Sequence, residues 1–383
     1  MRRSPSVDPP LVSEMRLTVG PVAAGGACVA RAEDGRVVFV RHALPGETVD
    51  VVVTSSGTRF LRADAVAVVE PSPDRVDAPC PYAGPGLCGG CDFQHASPAA
   101  QLALKAALVR EHLTRLASYD WEGLVEPVEP MWGWRTRVQW TTSPEGVGFH
   151  RHRSHDVIPV DRCLIAAMDP PAPAGSTVEV TSLQGQTCTT VDDRAVDLPG
   201  VRVTVAGRLF EVAAGGFWQV HSEAPSVLWD AVRAGLDPQP GERVVDLYSG
   251  AGLFAALIGD VVGPSGSVLA VEGHARACAD AARNTDDQPW VKVRTSAVTA
   301  DLVRRLRTDL VVLDPPRAGA GLEVAGALAG LDARAIAYVS CDAATFARDL
   351  RVLRDGGWQV SSLRAFDLYP QTEHVELVTI LTR

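Results

Sequence analysis

The stretch Val244-Val245-Asp246-Leu247-Tyr248-Ser249-Gly250-Ala251-Gly252-Leu253-Phe254 joins a short apolar run to a turn of small residues and then to a second apolar run. The pattern is a buried strand that turns sharply into a helix, with a turn narrow enough for a ligand to approach its backbone. The spacing is not G-x-G-x-x-G, so the dinucleotide fingerprint is absent. Working outward, apolar runs at Arg243–Leu247, Ser267–Val271, Val291–Thr295, Asp309–Leu313 and Ala335–Ser340 alternate with helical stretches, and a last pair lies near 359–368 and 375–382. Strands alternating with helices predict an α/β fold with a doubly wound, Rossmann-like parallel sheet. Ligands bind such sheets at the carboxyl ends of the strands.

Four positions fall at that edge. Glu272 ends the second strand, where a carboxylate can accept hydrogen bonds from both ribose hydroxyls of an adenosine. With Gly250, Gly252 and Glu272 together, cofactor binding is favoured over plain sheet-edge packing. Asp314-Pro315-Pro316-Arg317 ends the fourth strand, and its prolines stiffen the loop, in either a binding or a structural role. Cys341 ends the fifth strand before a helix starting near Ala344. Buried thiols are usually inert, but one at this edge, with its pKa lowered, can act as a nucleophile. Glu373, just before the last strand, is either a solvated loop carboxylate or a base.

The N-terminal half reads differently. Residues 1–12 are a Pro-rich, polar tail. Residues 13–71 hold five short β-prone runs between Gly and Pro turns, which fits a small OB-like β-barrel, a common oligonucleotide-binding shape or a plain structural module. Residues 72–215 form a central mixed β domain, with a helix from Pro98 to about Leu116 behind Ser97, and residues 216–383 the α/β domain. Within the central domain, Cys80, Cys88, Cys91 and Cys163 could hold an iron–sulfur cluster or a zinc ion, and Gly84, Gly86, Gly89 and Gly90 let the backbone wrap such a site. Cys28, Cys188 and Cys278 read as small hydrophobes. Residues 131–155 interleave Arg135, Arg137, Arg151 and Arg153 with Trp132, Trp134, Trp140 and Phe149. Cations for phosphates and rings for unstacked bases suit single-stranded or looped RNA, while the same pattern also fits buried tryptophans beneath solvated arginines. Arg59 and Arg62 are a weaker candidate of the same kind.

The composition excludes several classes. Of 383 residues, 46% are hydrophobic and 21% charged, which excludes a disordered chain. The best apolar run, Leu247 to Gly259, is too short to span a bilayer. Met1-Arg2-Arg3-Ser4-Pro5 has no apolar segment behind it, so a cytoplasmic protein is expected. In that compartment a disulfide reading of the clustered cysteines is disfavoured. The net charge of −10 argues against indiscriminate nucleic-acid binding and leaves room for a local basic surface. No obligate protein partner is evident.

Several motifs, in this order, resemble the bacterial RNA uracil-5-methyltransferases over about residues 15–383. They are the cysteine spacing 80/88/91/163, Phe217-Trp218-Gln219-Val220, the 246–252 turn, Asp314-Pro315-Pro316-Arg317, Val339-Ser340-Cys341-Asp342 and Thr372-Glu373-His374-Val375-Glu376. The resemblance implies a class I methyltransferase domain using S-adenosylmethionine, an N-terminal TRAM barrel that binds RNA, and 5-methyluridine formed in tRNA or 23S ribosomal RNA. It implies that Gln219, Tyr248, Glu272 and Asp314 contact the methyl donor, that Cys80, Cys88, Cys91 and Cys163 ligate a 4Fe–4S cluster, and that Cys341 is the nucleophile and Glu373 the base. The chain carries Leu253 where some ribosomal members carry Asn.

The chemistry needs these residue types. Uracil C5 is a poor nucleophile until a thiolate adds at C6 and pushes charge to C5. After methylation a base removes the C5 proton and the thiolate leaves. The target uridine must first leave its stack, which costs a few kcal/mol that RNA contacts elsewhere offset. The alternatives are a non-catalytic RNA-binding or assembly protein on this scaffold, and a DNA cytosine-5 methyltransferase. The latter typically carries its nucleophile after a Pro on the fourth-strand loop, and the loop here has no cysteine.

Overall fold

A computed structural model describes residues 14–383. The expected tail at 1–12 lies outside the described residues. Two compact units form. The first comprises the chain up to Leu104 with Phe149–Ile158 and Gln371–Glu373, and the second comprises Lys105–Gly148, Pro159–Pro370 and His374–Arg383.

In the first unit, β1 (Glu14–Thr18), β2 (Val22–Ala23), β3 (Ala27–Arg31), β4 (Val37–Arg41), β5 (Thr48–Ser56) and β6 (Phe60–Glu70) make one sheet in the order β1-β5-β6-β4-β3-β2. Alternate residues of β5, namely Val49, Val51 and Val53, point into a core with Val38, Val40, Leu61 and Ala63. Three register shifts between β5 and β6 bend the pair. The turn before β5 is held by Glu47, whose fully buried carboxylate accepts the N–H groups of Leu44 (2.8 Å) and Ser72 (3.0 Å) and pairs with Arg75 at 2.6 Å. Helix α1 (Pro98–His112) starts with proline in its first turn, and the Ser97 hydroxyl accepts the Ala100 N–H at 3.3 Å.

The second unit opens with β7 (Val125–Pro127). β8 (Arg137–Ser143), β11 (Thr177–Leu183), β12 (Gln186–Val191) and β13 (Arg194–Ala195) pair in one sheet, β9 (Gly146–His150) and β10 (Val157–Pro159) lie where the chain enters and leaves the 149–158 segment of the first unit, and the hairpin β14 (Gly200–Val205)–β15 (Arg208–Ala213) follows. After α2 (Ala224–Leu236) the chain runs β16 (Arg243–Leu247), α3 (Leu253–Val262), β17 (Ser267–Glu272), α4 (Ala275–Asn284), β18 (Val291–Thr295), α5 (Ala300–Arg304), β19 (Leu310–Leu313), α6 (Leu322–Ala329), β20 (Ala335–Ser340), α7 (Ala343–Asp355), β21 (Gln359–Asp367) and β22 (Glu376–Thr382). Its sheet has the order β18-β17-β16-β19-β20-β22-β21-β7. The first five strands are parallel, and β22 slots antiparallel between β20 and β21. The five strands that alternate with helices are thus parallel, as that alternation predicts, and the final pair adds antiparallel pairing beyond β20. β19 and β20 are buried along their whole length, which is why they read as unbroken apolar runs. The chain reverses its order across the sheet at β16, between β17 and β19, and the crevice at that point lies beyond Leu247 and Leu313. Among the described residues no helix is long and apolar enough to cross a membrane.

Candidate active site

The turn after β16 is built on left-handed backbone. Tyr248, Gly250 and Gly252 have φ of 62°, 53° and 86°. A Cβ on Gly252 would meet the Ala281 Cα at 3.2 Å, so glycine also allows the close approach of α4. The Asp246 carboxylate accepts the Ala255 N–H at 2.9 Å and caps α3. Burial raises its pKa well above the ordinary carboxylate value. The Glu272 carboxylate accepts the N–H groups of Gly250 (3.1 Å) and His274 (2.7 Å), which fixes it over the turn. Gln219, next to the buried Trp218, donates its side-chain amide to Asp314 at 3.3 Å. Burial lifts Asp314 to about 7, against the pull of that hydrogen bond. Two buried oxygens here, Asp246 Oδ1 and Ser249 Oγ, have no hydrogen-bond partner. Unmet acceptors beside a glycine turn fit a polar ligand such as the methyl donor.

The thiol lies on the same edge. β20 and β22 pair antiparallel as far as Ser340 opposite Leu377, so Cys341, the residue after β20, and Glu376, the first residue of β22, fall at the same end of the pair. Cys341 is half-buried, and burial pushes its thiol up to about 12, with Glu376 and Asp314 adding to the rise and Arg317 opposing it. The sequence suggests a lowered value from the helix that follows, and burial beside two carboxyls outweighs that effect. Glu376 is fully enclosed and accepts the Tyr369 hydroxyl at 2.9 Å. Burial and then Asp314 raise its pKa well above the ordinary value. Arg317 lies within 3.2 Å of the His374 ring, in a contact that holds the fourth-strand loop to the start of β22. Gln219 is thus hydrogen-bonded to Asp314 and Tyr369 to Glu376, and the charges of both carboxyls bear on Cys341. Glu376 is not singled out by sequence, and the pairing of two strands distant in the chain is the signal that finds it.

Glu373 belongs to the first unit, where its carboxylate accepts the Gly25 N–H and its own N–H donates to Asp92 at 3.1 Å. Cys80, Cys88 and Cys91 lie half-buried on one loop of the first unit and Cys163 lies in the second, and none of the eight cysteines forms a disulfide. The thiol donors suit a thiophilic metal in chemistry. Among the described residues, no group of three or more His, Cys, Asp or Glu side chains is drawn together as a metal site.

The arginine–tryptophan stretch divides. Trp134 and Trp140 are buried in the second unit, where Trp134 stacks on His221. Arg137 pairs with Glu179 at 2.9 Å, and Arg135 donates to the Arg137 carbonyl at 3.4 Å. Arg151 and Arg153 lie in the first unit and line a cavity with Arg62, while Arg59 is exposed.

Residues 11–66 match the TRAM domain model, and residues 292–383 match the model described as tRNA (Uracil-5-)-methyltransferase. An uncharacterized RNA methyltransferase of Streptomyces avermitilis is 44% identical, with 96% of this chain and 98% of that one aligned. The 23S rRNA (uracil(1939)-C(5))-methyltransferase RlmD of Pseudomonas putida is 30% identical, with 99% of this chain and 95% of that one aligned. The solved structure of a Pyrococcus abyssi tRNA (uracil-54, C5)-methyltransferase in complex with S-adenosyl-L-homocysteine superposes with a TM-score of 0.72 at 20% identity, over 96% of this chain and 99% of that one. That likeness establishes a shared fold.

Proposed function

Because the chain belongs to the RNA (uracil-5-)-methyltransferase family, we propose that it methylates C5 of a uridine in tRNA or 23S ribosomal RNA. The setting proposed is the cytoplasm. S-adenosylmethionine, when bound, supplies an electrophilic methyl group on a positively charged sulfur. Gln219, Tyr248, Gly250, Gly252, Glu272 and Asp314 hold it at the crevice. The Cys341 sulfur adds to uracil C6, and C5 becomes the carbon nucleophile. A carboxylate then takes the C5 proton, the Cys341–C6 bond breaks and the double bond returns.

The observation that supports this reading is the common end of β20 and β22, where the charges of Glu376 and Asp314 bear on the Cys341 thiol. It also bears on the choice of base. The sequence expectation is Glu373, whose carboxylate is engaged by Gly25 in the first unit. Glu376 shares the electrostatic surroundings of the thiol, so we assign the proton to Glu376. Cys341, Glu376 and Asp314 hold their protons because burial penalises their anions, and positive charge in the crevice favours the ionised forms that the reaction needs.

The test is methyl transfer from labelled donor to RNA from cells lacking the gene. Cys341→Ala should lower turnover by at least about 10³-fold with donor binding retained. Glu376→Gln should lower it by about 10²–10⁴-fold and leave a denaturation-resistant protein–RNA adduct, because addition proceeds and elimination stalls. An adduct with Glu373→Gln and none with Glu376→Gln reverses the assignment. No incorporation by the wild type supports the non-catalytic alternative.

For RNA contact the proposed residues are Arg59, Arg62, Arg135, Arg137, Arg151 and Arg153. The ion pair of Arg137 with Glu179 makes it the weakest of the six. The proposed ligands of a 4Fe–4S cluster, with zinc as the alternative, are Cys80, Cys88, Cys91 and Cys163, in a structural role outside the methyl-transfer steps. Anaerobic purification should give a brown protein containing iron and sulfide, and a colourless one with zinc selects the alternative.

A further inference from the structure

We propose that a cavity of about 580 Å³ within the first unit, walled by Phe39, Arg41, Arg62, Arg151, His152 and Arg153, is a subsite for one nucleotide of single-stranded RNA other than the methylated uridine. The inference rests on the reading of RNA as substrate and deepens it. The volume falls in the range of pockets that hold small ligands. Four guanidinium groups face it, and Asp64 is the one carboxylate in the lining. Asp64 accepts the Gly86 backbone N–H. In a chain of net charge −10, such a concentration of positive charge is local and specific.

Arg41 gives the clearest indication of a ligand. Its side chain is nine-tenths buried, yet Nη2 has no hydrogen-bond partner, and its ion pair with Asp92 is long, at 3.5 Å. Arg41 is thus a buried cation held only loosely by one carboxylate, and an anionic phosphodiester in the cavity it lines would add to its charge balance. The opposite chemistry is also present. Phe39 packs edge-on against Phe60, with ring centres 5.8 Å apart, and the Arg62 guanidinium lies over Phe60 at 4.7 Å. That wall is apolar and stiff, suited to the face of a base. Burial pulls His152 down to about 4, helped by Arg41 and Arg153. At neutral pH the ring is therefore uncharged, with one donor and one acceptor nitrogen to offer a base edge.

The wall is propped by the cysteine-bearing loop. Cys88 forms a β-bridge with Arg151, and the Gly89 N–H donates to the His150 carbonyl at 3.3 Å. A Cβ on Gly89 would stand 2.8 Å from the His152 Cα, so that loop and the 150–153 segment can pack this closely only with glycine there. The lining also includes Gly25, the residue that holds Glu373.

The experiment uses the full chain. Binding of a single-stranded RNA oligonucleotide is measured by fluorescence anisotropy across a salt series, with uridine 5′-monophosphate and inorganic phosphate as competitors. The double variant Arg62→Gln/Arg153→Gln avoids the buried Arg41. Arg202→Gln, an exposed residue paired with Glu211 in the second unit, is the control for loss of charge alone. Thermal unfolding and donor binding by calorimetry check that the variants are intact. The double variant should bind RNA about 10-fold or more weakly. Its slope of log affinity on log salt should be shallower by about 1.4, from two lost phosphate contacts at ~0.7 each. The nucleotide should compete with RNA on the wild type far better than phosphate does, and should lose that advantage on the double variant. Unchanged affinity and slope in a wild-type background that methylates RNA overturns the subsite alone. Competition by phosphate equal to that by the nucleotide overturns it as a nucleotide site. A wild type that neither binds nor methylates RNA overturns the underlying reading and the subsite with it.

Discussion

Asp314 keeps its proton up to about pH 7 because it is buried in the crevice, and that has a cost for the empty enzyme. An unfolded aspartate releases its proton near pH 3.9. Between about pH 4 and 7 the native state therefore binds more protons than the unfolded chain, and stability falls as pH rises through that window. Glu376 and Asp246, raised by the same burial, act in the same direction. Asp314→Asn cannot ionise. It should flatten this part of the curve, so that its melting temperature at pH 8 exceeds that of the wild type, while donor affinity drops. Calorimetric melts from pH 5 to 8 check this, and superimposable curves for the two proteins would remove Asp314 as the titrating group. On the proposed role of Asp314 in holding the methyl donor, the crevice trades stability for a binding carboxylate. Asp314, Cys341 and Gln219 were legible as residues because each sits at a strand end or in a recognisable motif. The proton affinity of Cys341 was not legible, since helix placement can be read from spacing and burial beside Glu376 cannot.

Among the elements, α1 and β21 meet through Lys105. Its ammonium, fully buried, lies 2.5 Å from the Asp367 carboxylate and 3.0 Å from the Tyr369 carbonyl. The contact ends β21 and holds the start of the segment that carries Tyr369, the hydrogen-bond donor to Glu376. Lys105→Met leaves Asp367 as a buried charge without its counter-ion, which typically costs about 3–5 kcal/mol. The denaturant midpoint should fall accordingly, and Lys105→Met/Asp367→Leu should recover much of the loss because no lone charge remains. Equal midpoints for the wild type and the single variant would show that the pair carries no weight. The strands Arg243–Leu247 and Ala335–Ser340 have the same ends in the structure as in the sequence reading, because buried parallel strands are short apolar runs bounded by polar turns, and the edge strand Val291–Thr295 keeps its ends through the alternation of Val291 and Val293 with Lys292 and Arg294. β7 joins the same sheet at its far edge, paired with β21 more than two hundred residues later, and no local pattern announces such a partner. The proposal of Glu376 beside the expected Glu373 likewise draws on the pairing of distant strands, which no local pattern announces. The tryptophans of residues 131–155 were read for composition, and only packing reveals that Trp134 and Trp140 face inward.

For the molecule as a whole, an acidic chain must bind a polyanion. The net charge of −10 repels RNA at distances within the screening length, so attraction has to come from a few short-range contacts. The cavity in the first unit offers four arginines, of which Arg41 and Arg151 are loosely paired with acids, and of the remaining candidates Arg137 is paired with Glu179. About four neutralised phosphates would give a slope of log affinity on log salt near −3 for single-stranded RNA. Between about 50 and 200 mM salt the affinity should then fall roughly 50-fold, a modest loss for a nucleic-acid enzyme. Anisotropy titrations of one oligonucleotide at four salt concentrations measure the slope directly. A value steeper than about −6 would mean that an extended cationic surface carries the binding. A value near zero would mean that stacking and base contacts dominate. The intermediate slope is expected because a few well-placed guanidinium groups, held by packing in a negatively charged protein, favour RNA that fits the site over RNA in general.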